Sequence, residues 1–117
     1  MPTATQSVTF LTIDSLLQMI ENKDEFTLVD VLAPDAYAEG HLPQAINIPS
    51  DKIEEEAPKK LIDKNAVIVV YCASYMCHAS TEAARKLQAL GYTHVLDFKG
   101  GKKVWQANAM PMATVTQ

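Results

Sequence analysis

Both cysteines of the 117-residue chain, Cys72 and Cys77, fall in one stretch, VIVVYCASYMCHASTEAARKLQALGY, residues 67–92. Cysteine acts as nucleophile and redox group through its thiolate, so two thiols this close invite sulfur-transfer or dithiol–disulfide chemistry. The apolar run ahead of Cys72 reads as a strand, and the Ala-rich segment after Cys77 as a helix. In a strand–turn–helix of this kind the turn and the first helical residues carry N–H groups without helical acceptors, and the helix dipole adds partial positive charge. A sulfur at the head of such a turn is expected to ionise below the free value of roughly 8.5. A blander reading stands beside it, since free cysteines are often small buried residues at strand ends. Cys77 has two open readings as well: a resolving thiol that closes a disulfide with Cys72 or takes its sulfur, or a loop-end residue facing the helix. His78 is expected to hydrogen-bond or stay exposed, because a helix N-terminus disfavours its charge.

The elements that must hold this turn alternate between helix and strand. TIDSLLQMIEN puts Ile13, Leu16, Leu17 and Ile20 on one helical face, with Thr12 as N-cap. FTLVDVL reads as a short buried strand, PDAYAEG as one or two helical turns begun by Pro34, and QAINIP as a strand stopped by Pro49. SDKIEEEAPKKL reads as a charged helix capped by Ser50 and broken before Pro58, its EEEA run facing water. AVIVVY is β-branched without alternation, the pattern of a strand covered on both faces. The helix after the cysteines carries Ala79, Ala83, Leu87 and Leu90 on one side, pairs Glu82 with Lys86 on the other, and stops at Gly91. HVLDF and GGKKVWQAN complete the order as a strand and a glycine turn into a short helix. This order specifies an α/β domain with a mainly parallel sheet, whose ligand site lies beyond the carboxyl ends of the strands, where Cys72 falls.

Composition narrows the function classes. The net charge of -4, from 14 acidic and 10 basic residues, offers no broad basic surface, so nucleic acid is not an expected partner. The longest apolar run, Ala66 to Ala73, is far too short for a membrane span. MPTATQSVTF has neither basic leader nor apolar core, and two close cysteines without a wider framework fit a reducing compartment, so a cytoplasmic location is expected. One domain over residues 9–112 is expected, with frayed ends at 1–8 and 113–117.

LVDVLAPDAYAEGHLPQAINIP resembles the first half of a rhodanese domain, YCASYM with its Ala-rich helix resembles that family's active-site loop, and DFKGGKKVWQANAMPM resembles its closing segment. Asp30, His41, Pro43, Asn47, Cys72, Gly91, Gly100, Gly101, Trp105 and Pro111 all stand in family order. The resemblance implies a three-layer domain with about five strands in its sheet, and a sulfurtransferase whose catalytic cysteine, here Cys72, carries sulfane sulfur as a persulfide. The rest of the implied loop is Ala73, Ser74, Tyr75, Met76 and Cys77, with His78 at its end. The implied substrates are a small sulfur donor or protein persulfide and a thiol or cyanide acceptor, with no metal or organic cofactor. Asp30 and His41 are expected to brace loops, Trp105 to pack in the core, and Gly100 and Gly101 to supply backbone freedom.

The departures from the family pattern bear on the donor. The loop CASYMC carries no charged residue, Tyr75 stands where many members have Gly, and Leu32 replaces an Arg common after the Asp-hydrophobic pair. A dianion such as thiosulfate would be held by amides and dipole alone, so a donor other than thiosulfate is expected, and Tyr75 and Met76 could wall a bulkier donor or partner protein. Lys99, Lys102 and Lys103 could draw acidic donors toward the site or form a solvated patch. A cysteine phosphatase would need an Arg where Cys77 and His78 stand, and the cysteines and histidines fit no usual zinc spacing. Two other readings remain open: a thiol redox module or sensor using Cys72 and Cys77, and a rhodanese-like binding domain without turnover. Oligomeric state is not legible in the sequence.

Overall fold

The β-branched run forms β4 (Val67–Tyr71), the middle strand of a five-stranded sheet, and its side chains show why it lacks alternation. Ile68 and Val70 pack on one face against α3 (Ile53–Lys60) and α4 (Ala79–Ala89), through Ile53, Ala57, Ala83, Ala84 and Leu87. Val69 and Tyr71 pack on the other against α1 (Ile13–Glu21) and α5 (Gly101–Ala107), through Leu16 and Trp105. Both faces are dry, so both registers must be apolar.

The computed structural model describes residues 7–115. The remaining elements are β1 (Thr9–Phe10), β2 (Thr27–Asp30), α2 (Pro34–Glu39), β3 (Ile46–Asn47), a 3₁₀ turn at Ser50–Lys52 and β5 (His94–Phe98). The strand order is β1-β5-β4-β2-β3 and every pair is parallel, so the expected mainly parallel sheet of about five strands between helical layers is the architecture found. All five strands therefore point their carboxyl ends to one edge. Thr12 caps α1 by accepting from the Ser15 N–H at 3.1 Å, and Gly91 ends α4 with φ +99°.

Several local expectations are corrected. Helix α3 runs through Pro58. Proline there removes a single bond, to the carbonyl of Glu54 on the exposed side, while Ile53, Ala57 and Leu61 anchor the buried side. Ser50 does not cap α3; its hydroxyl donates to the Ala79 carbonyl at 3.3 Å and so ties the 3₁₀ turn to the start of α4. Lys86 does not pair with Glu82, but donates to the Ser50 carbonyl at 2.9 Å. Strand β1, which the sequence reading passed over, adds to the sheet edge beside β5. Of the ends expected to fray, 1–6 and 116–117 lie outside the described residues. The stretch 113–115 is tied down, with Ala113 exchanging backbone hydrogen bonds with His41 and Val115 N–H donating to the Ala38 carbonyl at 3.1 Å.

Candidate active site at the cysteine loop

Strand β4 ends at Tyr71 and delivers Cys72 into the interior, where it joins the cluster formed by Val70, Ala83 and their neighbours and has no exposed surface. Residues 73–78 then loop outward and return into α4, closed by Cys77 N–H donating to the Ser74 carbonyl at 3.0 Å and Met76 N–H to the Ser74 hydroxyl at 3.3 Å. The loop backbone is held from below by α5. Lys102 N–H donates to the Cys72 carbonyl at 3.0 Å and Lys103 N–H to the Ala73 carbonyl at 2.9 Å. That approach explains Gly101, which has φ +59° and where a Cβ would lie 2.3 Å from the Cys72 carbonyl oxygen. Only glycine meets both demands. Gly100, expected to supply backbone freedom as well, has an ordinary helical φ of -63° and instead leaves room for the Val104 side chain.

The two sulfurs share one environment. The Cys72 thiol donates to the Cys77 carbonyl at 3.5 Å. Burial pushes the Cys72 thiol up, helped by the neighbouring Cys77 thiol, while Ser80 pulls the other way without prevailing. This reverses the expected lowering of Cys72, because the sulfur sits inside the core and not at the surface of the turn. The lowered thiol is Cys77. Its partial burial pushes it up, but hydrogen bonds from Cys72 and from the N–H groups of Ala79 and Ala73, with the charge of Lys99, outweigh that effect.

Supporting residues surround the loop. Lys99 Nζ donates to the Cys77 carbonyl, pinning the end of the loop. Asp30 is buried and accepts from Leu32 N–H at 2.9 Å and the Tyr71 hydroxyl at 2.8 Å, and that hydroxyl accepts from Leu42 N–H at 3.0 Å. Burial raises the Asp30 carboxyl above its usual range against these contacts and the charges of Lys102 and His41. His41 bonds through Nδ1 to the Tyr37 carbonyl at 2.8 Å and stacks on the Tyr37 ring. Asp30 and His41 thus brace loops, as their types and positions predict.

A family model described as Rhodanese-like domain matches residues 12–108. The chain belongs to the rhodanese-like sulfurtransferase family. It is 30% identical over 99 residues to a sulfurtransferase of Allochromatium vinosum, covering 85% of this chain and 89% of that protein. It is 36% identical over 83 residues to the thiosulfate sulfurtransferase PspE of Escherichia coli, covering 71% and 74% respectively. Among solved structures, the BH2092 protein of Bacillus halodurans superposes with a TM-score of 0.82 at 34% identity, over 91% of this chain and 77% of that one.

In this rhodanese-like domain the residues singled out by sequence separate into two groups. Cys72, Cys77 and the backbone of Ala73 and Ser74 converge below the loop, while Tyr75 and Met76 project from its tip, 62% and 85% exposed. His78 is exposed and makes no side-chain cap to α4. The lysine patch is largely spent internally: Lys99 is held by Cys77, and Lys102 Nζ donates to the Ala36 carbonyl at 2.9 Å and stands 3.9 Å from Asp30. Of the three lysines only Lys103 lies fully at the surface.

The rhodanese-like domain also has site residues that the sequence reading missed. Ser80 is buried, its hydroxyl has no conventional partner among the described residues, and it acts on the Cys72 sulfur. Asp97 is buried on β5 and accepts from the Thr81 hydroxyl at 2.7 Å, fixing the first turn of α4 beneath the loop. The signal for both was a polar residue in the apolar register of its element, Ser80 with Ala83, Ala84 and Leu87, Asp97 with Val95. A cavity of about 600 Å³ lined by Ile20, Phe26, Trp105 and Met110 opens at the amino end of β2, away from the cysteines.

Proposed function

We propose that this chain takes a sulfane sulfur onto Cys72 as a persulfide and passes the outer sulfur to a thiol or cyanide acceptor, using a donor other than thiosulfate. The observation that carries the reading is the position of the Cys72 sulfur, which follows β4 at the carboxyl edge of the parallel sheet and meets the far end of the loop at the Cys77 carbonyl, 3.5 Å away. An anionic persulfide is stabilised by N–H donors at the start of a helix in a site screened from water. The buried thiol itself is disfavoured as an anion, whereas a persulfide moves the charge to a terminal sulfur one bond away from the buried Sγ. Carriage is thus favoured over storage of a bare thiolate.

Donor choice follows from charge. The relative PspE is a thiosulfate sulfurtransferase, which supports a sulfane-sulfur donor for this chain. Thiosulfate is nevertheless a poor fit to a loop that has no Arg or Lys between Cys72 and His78 and whose neighbouring Lys99 and Lys102 are already engaged. One missing charge-assisted contact costs roughly 1.5–3 kcal/mol, about tenfold to a hundredfold in binding. The exposed Tyr75 and Met76 instead offer apolar contact to low-molecular-weight persulfides, polysulfides or a protein persulfide. Side-by-side steady-state rates with thiosulfate and with a small persulfide test the reading, the persulfide being the better donor. A preference for thiosulfate at low millimolar concentration overturns the donor assignment.

A further inference from the structure

Carriage on Cys72 does not use Cys77, yet Cys77 is the residue whose surroundings are most developed for a thiolate. Its carbonyl receives both the Cys72 thiol, at 3.5 Å, and the Lys99 ammonium, so the Cys72 sulfur and a fixed positive charge meet at this one residue, and its polar neighbours hold its thiol below the ordinary cysteine range. Both cysteines are free thiols. The chain between them, Ala73–Met76, is mostly exposed; Lys103 N–H holds its base at the Ala73 carbonyl, while its tip is closed only by the hydrogen bonds at Ser74, so drawing the sulfurs together moves the tip and disturbs little of the core.

We propose that Cys77 resolves the Cys72 persulfide within the same chain, releasing hydrosulfide and leaving a Cys72–Cys77 disulfide. The proposal rests on the carrier reading and adds a second fate for the sulfur. Cys72 Sγ, the inner sulfur of the loaded state, lies 3.5 Å from the Cys77 carbonyl oxygen, so the thiol of that same residue is placed to reach the inner sulfur, and attack there differs from attack by an external acceptor on the outer sulfur. A bond forms between the two Sγ atoms as the bond from Cys72 Sγ to the outer sulfur breaks. The electron pair of that bond leaves with the outer sulfur, which takes the Cys77 proton and departs as hydrosulfide. The sulfane sulfur is reduced to sulfide and the two thiols are oxidised to the disulfide. A dithiol reductant restores the thiols by exchange and becomes a disulfide itself. Acceptor thiols compete with Cys77, so the chain transfers sulfur when acceptors are plentiful and discharges it when they are scarce.

The test is a single loading under anaerobic conditions. The reduced protein receives one equivalent of cysteine persulfide, the cysteine released by loading is removed at once by rapid desalting so that no acceptor remains, and intact mass and trapped hydrosulfide are followed in time. The wild-type protein is expected to end two hydrogens lighter than its dithiol form, with one hydrosulfide released per disulfide formed. In Cys77→Ser and Cys77→Ala the added sulfur is expected to persist at least about tenfold longer, the advantage of an attacking thiol held in place being lost. An added sulfur that lasts equally long in wild type and variants overturns the resolving role and leaves the carrier reading standing. Disulfide formed without equivalent hydrosulfide also overturns it. Failure of wild type and both variants to gain sulfur, with no hydrosulfide produced, removes the carrier reading and this inference with it. The wild-type ratio of hydrosulfide to disulfide decides the question even where a Cys77 variant folds poorly.

Discussion

Gly101→Ala is expected to damage the molecule at the joint between α5 and the cysteine loop. The residue has φ +59°, where an L side chain costs about 1–2 kcal/mol. Its Cβ would stand 2.3 Å from the Cys72 carbonyl oxygen and 2.9 Å from the carbonyl carbon, both backbone atoms that no rotamer change can move. Relief requires α5 to withdraw, weakening the bonds from Lys102 N–H and Lys103 N–H to the Cys72 and Ala73 carbonyls, each worth about 1 kcal/mol. The sum is about 3–4 kcal/mol, a large share of the roughly 5–15 kcal/mol typical of a domain. In urea the unfolding midpoint should drop by roughly 2 M, for a slope of 1–3 kcal/mol per M. Gly40→Ala is the control, since φ 176° is ordinary extended backbone and a Cβ there would meet only the flexible Met112 tip at 3.4 Å. Its midpoint should move by less than about 0.5 M. A Gly101→Ala protein as stable as the Gly40→Ala control, with sulfur loading intact, would refute the reasoning.

Cys72→Ser is expected to abolish persulfide formation, read by intact mass, and to cost about 1–2 kcal/mol in urea denaturation, because the residue lies within the core cluster and buries a more polar atom. Met76→Arg, at an exposed loop position, should raise kcat/KM for thiosulfate about tenfold while leaving a neutral persulfide donor within about threefold; equal gains with both donors would sink the charge argument. Asp30 has a raised carboxyl, so the stability it contributes is fully present below its unfolded pKa near 3.8 and is lost as pH rises through the higher folded value. The stability difference between wild type and Asp30→Asn, from denaturation midpoints across a pH series, should therefore shift against wild type as pH rises from about 3 toward neutrality. A difference independent of pH would mean that burial does not perturb Asp30.

The sequence by itself determined which segments form the layers and where the chemistry sits among them. An unalternated Val–Ile run is what a strand covered on both faces needs, Thr12 and Gly91 bound their helices by local chemistry, and a cysteine after that strand falls at the carboxyl edge of a parallel sheet. These signals are local or periodic, so one chain carries them. What tertiary structure decided depends on distance in space. Pro58 stays helical because Ile53, Ala57 and Leu61 bury beneath it, and β1 exists only because β5 offers a free edge. Lys99 and Lys102 look like a surface patch until the fold brings the carbonyls of Cys77 and Ala36 to them. The largest reversal concerns the thiols. Helix position alone makes Cys72 the expected thiolate, but the depth to which α4 and α5 bury it raises that thiol, and the amides and ammonium left at the loop end favour Cys77 instead. Ionisation follows solvation, and solvation is a property of the packed molecule.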